Sequence, residues 1–258
     1  MNKHQSASPS LRDKVSQEEW TRRVDLACAY RLVAHFHWDD LIFTHLSVRI
    51  PGPENHFLIN PYNLMFDEIT ASSLVKIDVE GKPVMPTPYV TNPAGFTIHS
   101  AIHMARHDAQ AVMHLHTPQG QAVSAQAHGL LPLTQTAMLV REEVAYHNYE
   151  GVATDLDERG RIVADLGHKG AMLLRNHGTL TIGETIAACF VKMYFLERAC
   201  EAQIMALSGG VELLNHPPEA AVQKSAQQGQ AGLDMVANKL VWPALMRKMD
   251  RLDNSYRN

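Results

Sequence analysis

The chain has 258 residues, 45% hydrophobic and 19% charged, a balance that supplies a substantial core and excludes disorder throughout. The formal net charge of -4, with no stripe of Lys and Arg, argues against nucleic acid as a partner. No apolar run approaches the roughly 18 residues of a membrane helix, and the polar opening MNKHQSASPSLRDKV is unlike a signal peptide, so a cytoplasmic protein with no membrane partner is expected.

Residues 1–15 read as a polar, fraying arm. Ser16 with Glu19 then offers a capping box, and Trp20, Val24, Ala27, Leu32 and Phe36 recur at helical spacing until the pattern runs out near Trp38 and Asp39. From Ile42 the stretches IFTHLSVRI, HFLIN and SLVKIDV, separated by Pro51-Gly52-Pro53 and a polar linker, predict neighbouring antiparallel strands. Asn92 and Pro93 open a second helix, expected through His107, with Phe96, Ile98, Ile102 and Met104 among its apolar positions. The strand AVMHLH, residues 111–116, follows, and Thr117-Pro118 starts the next helix. GAMLLRNHGTLTIG predicts a strand, a turn at Arg175-Asn176-His177-Gly178 and a further β stretch. A helix is then expected from Gly183 to about Leu207, carrying Ile186, Phe190, Met193, Leu196 and Ile204. After Gly209-Gly210, the segment with Pro217, Pro218 and a Gln-rich stretch reads as an exposed linker. A terminal helix with Leu240, Trp242, Leu245 and Met249 would follow. Cys28, Cys189 and Cys200 lie among apolar residues at helical spacing and read as small core groups rather than ligands.

The chain carries 15 histidines, many of them between positions 99 and 177. Side chains alternate along a strand, so His114 and His116 point to one side, at the C-terminal end where open α/β sheets expose functional groups. An isolated H-x-H also fits a surface histidine beside a hydrogen-bonded core one. The turn at Asn176-His177-Gly178 supplies a natural third ligand, His177. Three neutral imidazoles would leave a divalent ion its full charge and an open position for water or substrate. Gly178 is expected to take a positive φ beside such an ion, and Asn176 to orient its neighbours by a hydrogen bond.

The segments NPAGFTIHSAIHMARHDAQAVMHLHTPQG, EEVAYHNYEG and LLRNHGTLTIGET resemble the class II aldolase/adducin family, and the similarity covers roughly residues 18–208. The resemblance implies a three-layer α/β/α sandwich with a largely antiparallel or mixed central sheet. It divides the chain into an arm at 1–15, the family domain at 16–208, and a C-terminal linker and helical extension at 209–258. It also implies a homotetramer, a small-molecule carbonyl substrate, and zinc or another divalent transition metal on His114, His116 and His177. Gly95 stands where the family's aldolases carry a catalytic Glu, and Ile42-Phe43-Thr44-His45 and Pro93-Ala94 replace their phosphate-binding segments. Within the family, HFLINPYNLMFDEITASSLVKID and NPAGF are most similar to the adducin head, which implies no catalysis. The acid/base candidates are therefore Glu142, Glu143 and Tyr146, from a segment that in family enzymes reaches the site. Asn92, Gly95 and His99 are the candidate substrate-binding positions; His103, on the same helical face as His99, and Arg175 are weaker ones. Two readings follow: a metal-dependent, aldolase-like lyase or related dehydratase or decarboxylase acting on a small hydroxy-carbonyl compound, or a catalytically degenerate adducin-head-like binding or scaffolding module.

Overall fold

Residues 10–52, 55–151 and 157–258 are described by the computed structural model, the side chains of 93–96 excepted. The first nine residues of the expected arm and Pro53 thus lie outside the described residues. Ser16 starts the first helix, α1 (Gln17–His35), its hydroxyl accepting from Glu19 N at 3.1 Å. The reciprocal half of the expected capping box does not form. The buried Glu19 carboxylate instead takes Arg23 Nε at 2.9 Å and Lys76 Nζ at 2.8 Å, while Arg23 Nη1 reaches the carbonyls of Ala71 and Leu74. A buried guanidinium is tolerable only when so paired.

The elements that follow are β1 (His45–Arg49), β2 (Phe57–Ile59), β3 (Val75–Ile77), α2 (Pro93–Ala105), β4 (Ala111–Leu115), α3 (Pro118–Ser124), α4 (Gln135–Val140), β5 (Val144–His147), α5 (Glu158–Leu166), β6 (Ala171–Leu174), β7 (Gly178–Gly183), α6 (Ile186–Leu207), α7 (Glu219–Val236) and α8 (Trp242–Leu252). Among the described residues seven strands form one mixed sheet in the order β3-β2-β1-β4-β7-β6-β5, with β5 and β6 parallel and every other pair antiparallel. The three strands expected after Ile42 are the antiparallel meander at one edge.

Alternation along the strands builds two cores. Leu46, Met113, Leu115 and Leu173 face Leu26, Tyr30, Phe190 and Met193 of α1 and α6. Val112, Met172, Leu174, Leu180 and Ile182 face Ile98 and Ile102 of α2 and Ile162 and Leu166 of α5. The result is the helix–sheet–helix sandwich. Position 114 shares its parity with Val112, so His114 belongs to the α2 side.

Several boundaries differ from expectation. Helix α2 ends at Ala105, two residues early, and Met104 is exposed rather than core. Helix α6 begins at Ile186, where Thr185 accepts from Ala188 N at 3.0 Å. The Gln-rich stretch is not a linker: Pro218 leads into α7, whose Val222 and Ala226 are buried. Gly229 lets α7 approach α4 so closely that a Cβ there would collide with the Leu139 carbonyl. A π turn at Ala237–Val241 joins α7 to α8, which buries Trp242 and Met249, while Leu240 faces solvent. All three cysteines are free and buried, as expected. Among the described residues no helix is long and apolar enough to cross a membrane.

Candidate metal centre

His114 is the penultimate residue of β4, paired with His45 of β1 on one side and Leu180 of β7 on the other. His116 lies just past the strand, before Thr117, whose side chain caps α3 by accepting from Gly120 N at 2.9 Å. His177 lies in the β6–β7 turn, its N–H bonded to Leu174 O at 3.0 Å. The left-handed residue of that turn is Asn176, φ 56°, not Gly178, and the Asn176 side chain is exposed. Gly178 is required for another reason. A Cβ there would collide with the Leu115 carbonyl and press within 3.2 Å of His116 Cδ2, so the turn carrying His177 closes onto the end of β4 only over a glycine.

The three imidazoles form a tight cluster. Their ring centroids are 4.7, 4.7 and 4.8 Å apart, and one nitrogen from each lies within 4.8 Å of the others. His114 Nδ1 is 2.9 Å from Thr179 O and His116 Nδ1 is 3.1 Å from Asp40 Oδ2. Both partners are acceptors, so each Nδ1 carries the proton and each Nε2 presents a lone pair. The two Nε2 atoms face each other at 3.0 Å, an arrangement that calls for a shared cation. Burial, and then the neighbouring His177 and His116, hold His114 well below the usual histidine range. Burial, followed by His116 and His147, lowers His177 to about 4. Three converging imidazoles, two of them with anchored far nitrogens, fit a divalent metal.

A carboxylate beneath the cluster braces it. Glu197 of α6 is buried and accepts from Thr117 Oγ1 and, at 2.5 Å, from Thr179 Oγ1. Thr117 adjoins His116, and Thr179 supplies the carbonyl that orients His114. Burial raises Glu197 to about 7, against the lowering effect of the two threonine hydroxyls.

The cluster opens into a cavity of about 430 Å³. Asn92 and His99, both expected at the site, line it, and Asn92 Nδ2 donates to His45 Nε2 at 3.2 Å. Gly95 sits in the first turn of α2. The structure does not bring Glu142, Glu143 or Tyr146 to this cavity. Glu142 pairs with Arg141 at 2.8 Å, Glu143 accepts from Gln230 at 2.9 Å, and Tyr146 receives Leu130 N on its hydroxyl at 3.1 Å. Arg175 stacks on the Tyr146 ring and donates to Gln126 O at 2.8 Å, bound to the fold rather than to the site. The same segment delivers Tyr149 instead, its ring 6.3 Å from His177. Asp40, Tyr149 and Glu197 are residues that sequence reasoning missed; Thr44 and His45, read in the sequence only as replacing a phosphate-binding segment, line the cavity. Only His45 left a usable signal, an inward position on a strand beside β4.

Residues 24–204 match the family model of the Class II Aldolase and Adducin N-terminal domain. The chain belongs to the class II aldolase and adducin family. A Caulobacter vibrioides relative, provisionally named an aldolase class 2 protein, is 59% identical over 247 residues, 96% of each chain. Alpha-adducin of Rattus norvegicus is 40% identical over 89% of this chain, which spans 33% of that longer protein. Among solved structures, an aldolase II superfamily protein from Pseudomonas syringae superposes with TM-score 0.91 at 50% identity, covering 97% of this chain and 100% of that one. L-fuculose 1-phosphate aldolase from Glaciozyma antarctica does so with TM-score 0.80 at 28% identity, covering 97% of both. This class II aldolase family member therefore has relatives named as enzymes and relatives named as adducins.

Proposed function

We propose that this family member is a divalent-metal-dependent, aldolase-like lyase, or a related dehydratase or decarboxylase, acting on a small hydroxy-carbonyl compound. The observation that carries this reading is the convergence of His114, His116 and His177 with two far nitrogens anchored, by Thr179 O and Asp40, at the edge of a cavity sized for a small molecule. A divalent ion on these three, zinc by the preference of imidazole donors, supplies Lewis acidity toward a carbonyl oxygen. Thr179 and Asp40 hold the ligand rings in one tautomer and orientation. Phe43 and Ile98 give the cavity apolar wall, and Asn92, Thr44 and His99 give it polar wall. Gly95 offers no proton-transfer group where family aldolases have their Glu.

The test is metal-dependent loss of deuterium from the carbon beside the carbonyl of labelled hydroxyketones, followed by NMR. Exchange above the level of His114→Ala is expected; no difference from that variant contradicts the reading. It would favour the second one, a binding or scaffolding module, which Gly95 and the 40% identity to alpha-adducin support. A tetramer belongs to the same proposal. The exposed Leu41, Phe43 and Tyr149 beside the metal cluster are surfaces that a second copy would cover, and light scattering that finds a monomer contradicts it. A cytoplasmic location is likewise proposed, supported by three unpaired buried cysteines.

A further inference from the structure

Ser47 of β1 stands between two histidines of α2, its Oγ 2.6 Å from His99 Nδ1 and 2.7 Å from His103 Nε2. His103 Nδ1 is 2.6 Å from the carbonyl oxygen of Ala109. A carbonyl only accepts, so His103 carries its proton on Nδ1. Both histidines are buried and neutral, with His103 pushed down to about 3 by burial. The Nε2 of His103 is therefore an acceptor and takes the single Ser47 proton, leaving a Ser47 lone pair to accept Nδ1–H from His99. The relay ends in a bare His99 Nε2. That atom is buried and has no hydrogen-bond partner among the described residues, and His99 lines the same cavity as His114, His116 and His177.

Two further features bear on what the cavity takes. Thr44 Oγ1, also buried and unpartnered among the described residues, lies on the same wall. Its backbone has φ 67°, a left-handed conformation that strains a β-branched residue. No Lys or Arg lines the cavity among the described residues. A phosphate brought against His99 would lose its hydration to a bare nitrogen lone pair with no described Lys or Arg beside it to pair with its charge, whereas a hydroxyl hydrogen would complete the relay.

We propose that His99 Nε2 is the acceptor for a substrate hydroxyl, and that with a wall to which no described Lys or Arg contributes it selects unphosphorylated hydroxy-carbonyl compounds, their hydroxyl on His99 and their carbonyl toward the three-histidine cluster. The assignment rests on the metal-site reading above, but the relay can be tested apart from it. Long-range proton–nitrogen correlation NMR of the labelled wild-type protein without metal is expected to find His99 and His103 protonated on Nδ1; a proton on His99 Nε2 overturns the proposal. In zinc-loaded protein, calorimetry is expected to find dihydroxyacetone bound at least as tightly as dihydroxyacetone phosphate, with a shift of the His99 Nε2 resonance on binding. His99→Phe is expected to lose about tenfold in that affinity while retaining its metal, and His99→Gln, whose amide oxygen also accepts, to recover part of it. Preference for the phosphate ester, no binding of dihydroxyacetone by the zinc-loaded wild type, or equal affinity in His99→Phe overturns the proposal. Failure of the metal reading registers separately, as protein that takes up no stoichiometric zinc while the tautomer result stands.

Discussion

Two groups of histidines reach one cavity, one through His114, His116 and His177 and the other through His99, and their second ring nitrogens are used in opposite ways. In His114 and His116 the Nδ1 protons go to fixed acceptors, Thr179 O and Asp40, so both Nε2 atoms turn inward and meet. In His99 and His103 the rings are linked through Ser47, and a carbonyl at one end leaves a lone pair at the other. The first arrangement pools lone pairs on a single point, which suits a metal. The second passes orientation along a chain to one acceptor atom, which suits a hydroxyl. What separates them is the partner of the nitrogen that faces away from the cavity.

The comparison can be broken at the point where the first group depends on close approach. Gly178→Ala is expected to cost about 3 kcal/mol, because the new Cβ must displace the Leu115 carbonyl at the end of β4. Chemical denaturation measures it, and a loss below about 1 kcal/mol would mean the His177 turn is not locked against β4.

A smaller effect is expected from the anchor itself. Asp40 is 43% exposed at its side chain and contributes little to the core, so Asp40→Ala should leave the fold intact. It should weaken metal binding about 10–100-fold, the usual cost of removing a partner of a ligating histidine. Asp40→Asn, which keeps an acceptor, should lose less. Competition with a chelator reads both, and unchanged affinity in Asp40→Ala would show that the loop does not orient His116.

Glu197 sharpens the account through pH. Its folded value of about 7 lies above the ordinary 4.5, so the folded protein keeps a proton that the unfolded chain releases. The stability this contributes is full below about pH 4.5 and is lost as pH rises toward 7, at up to about 1.4 kcal/mol per pH unit. The buried histidines, held below their ordinary range, act in the opposite sense and lose stability as pH falls. The difference between wild type and Glu197→Gln therefore isolates the carboxyl. Denaturation at pH 5, 6 and 7 should give a variant lacking the decline toward pH 7, and parallel profiles would contradict the assignment.

The parts of this site legible in the sequence are those set by short-range rules. Alternation puts His114 and His116 on one side of a strand, and an apolar strand broken at Asn176-His177-Gly178 marks the turn that brings the third ring. The meander after Ile42 and the long helix ending at Leu207 follow from periodicity in the same way. What was hidden depends on partners distant in the chain. Asp40 looks like any loop carboxylate until the loop folds beside His116, and Glu197 like a polar residue of α6 until Thr117 and Thr179 close over it. Glu142, Glu143 and Tyr146 share a segment with the residue that reaches the cavity, Tyr149, but the first two lie in the 3-10 turn before β5 and the strand directs Tyr146 elsewhere. The Gln-rich α7 has the composition of a linker, and its helix is held by packing at Val222, Ala226 and Gly229, the last against Leu139. In the sequence Gly178 suggests backbone freedom, whereas its role is the space a side chain would fill.

The most direct test of the central claim is the metal content of purified wild type and His114→Ala by elemental analysis after exposure to zinc. The account predicts close to one zinc per chain in the wild type and its loss in the variant, with both proteins folded. A wild type that takes up no metal under these conditions, or a variant that keeps its full complement, would contradict it.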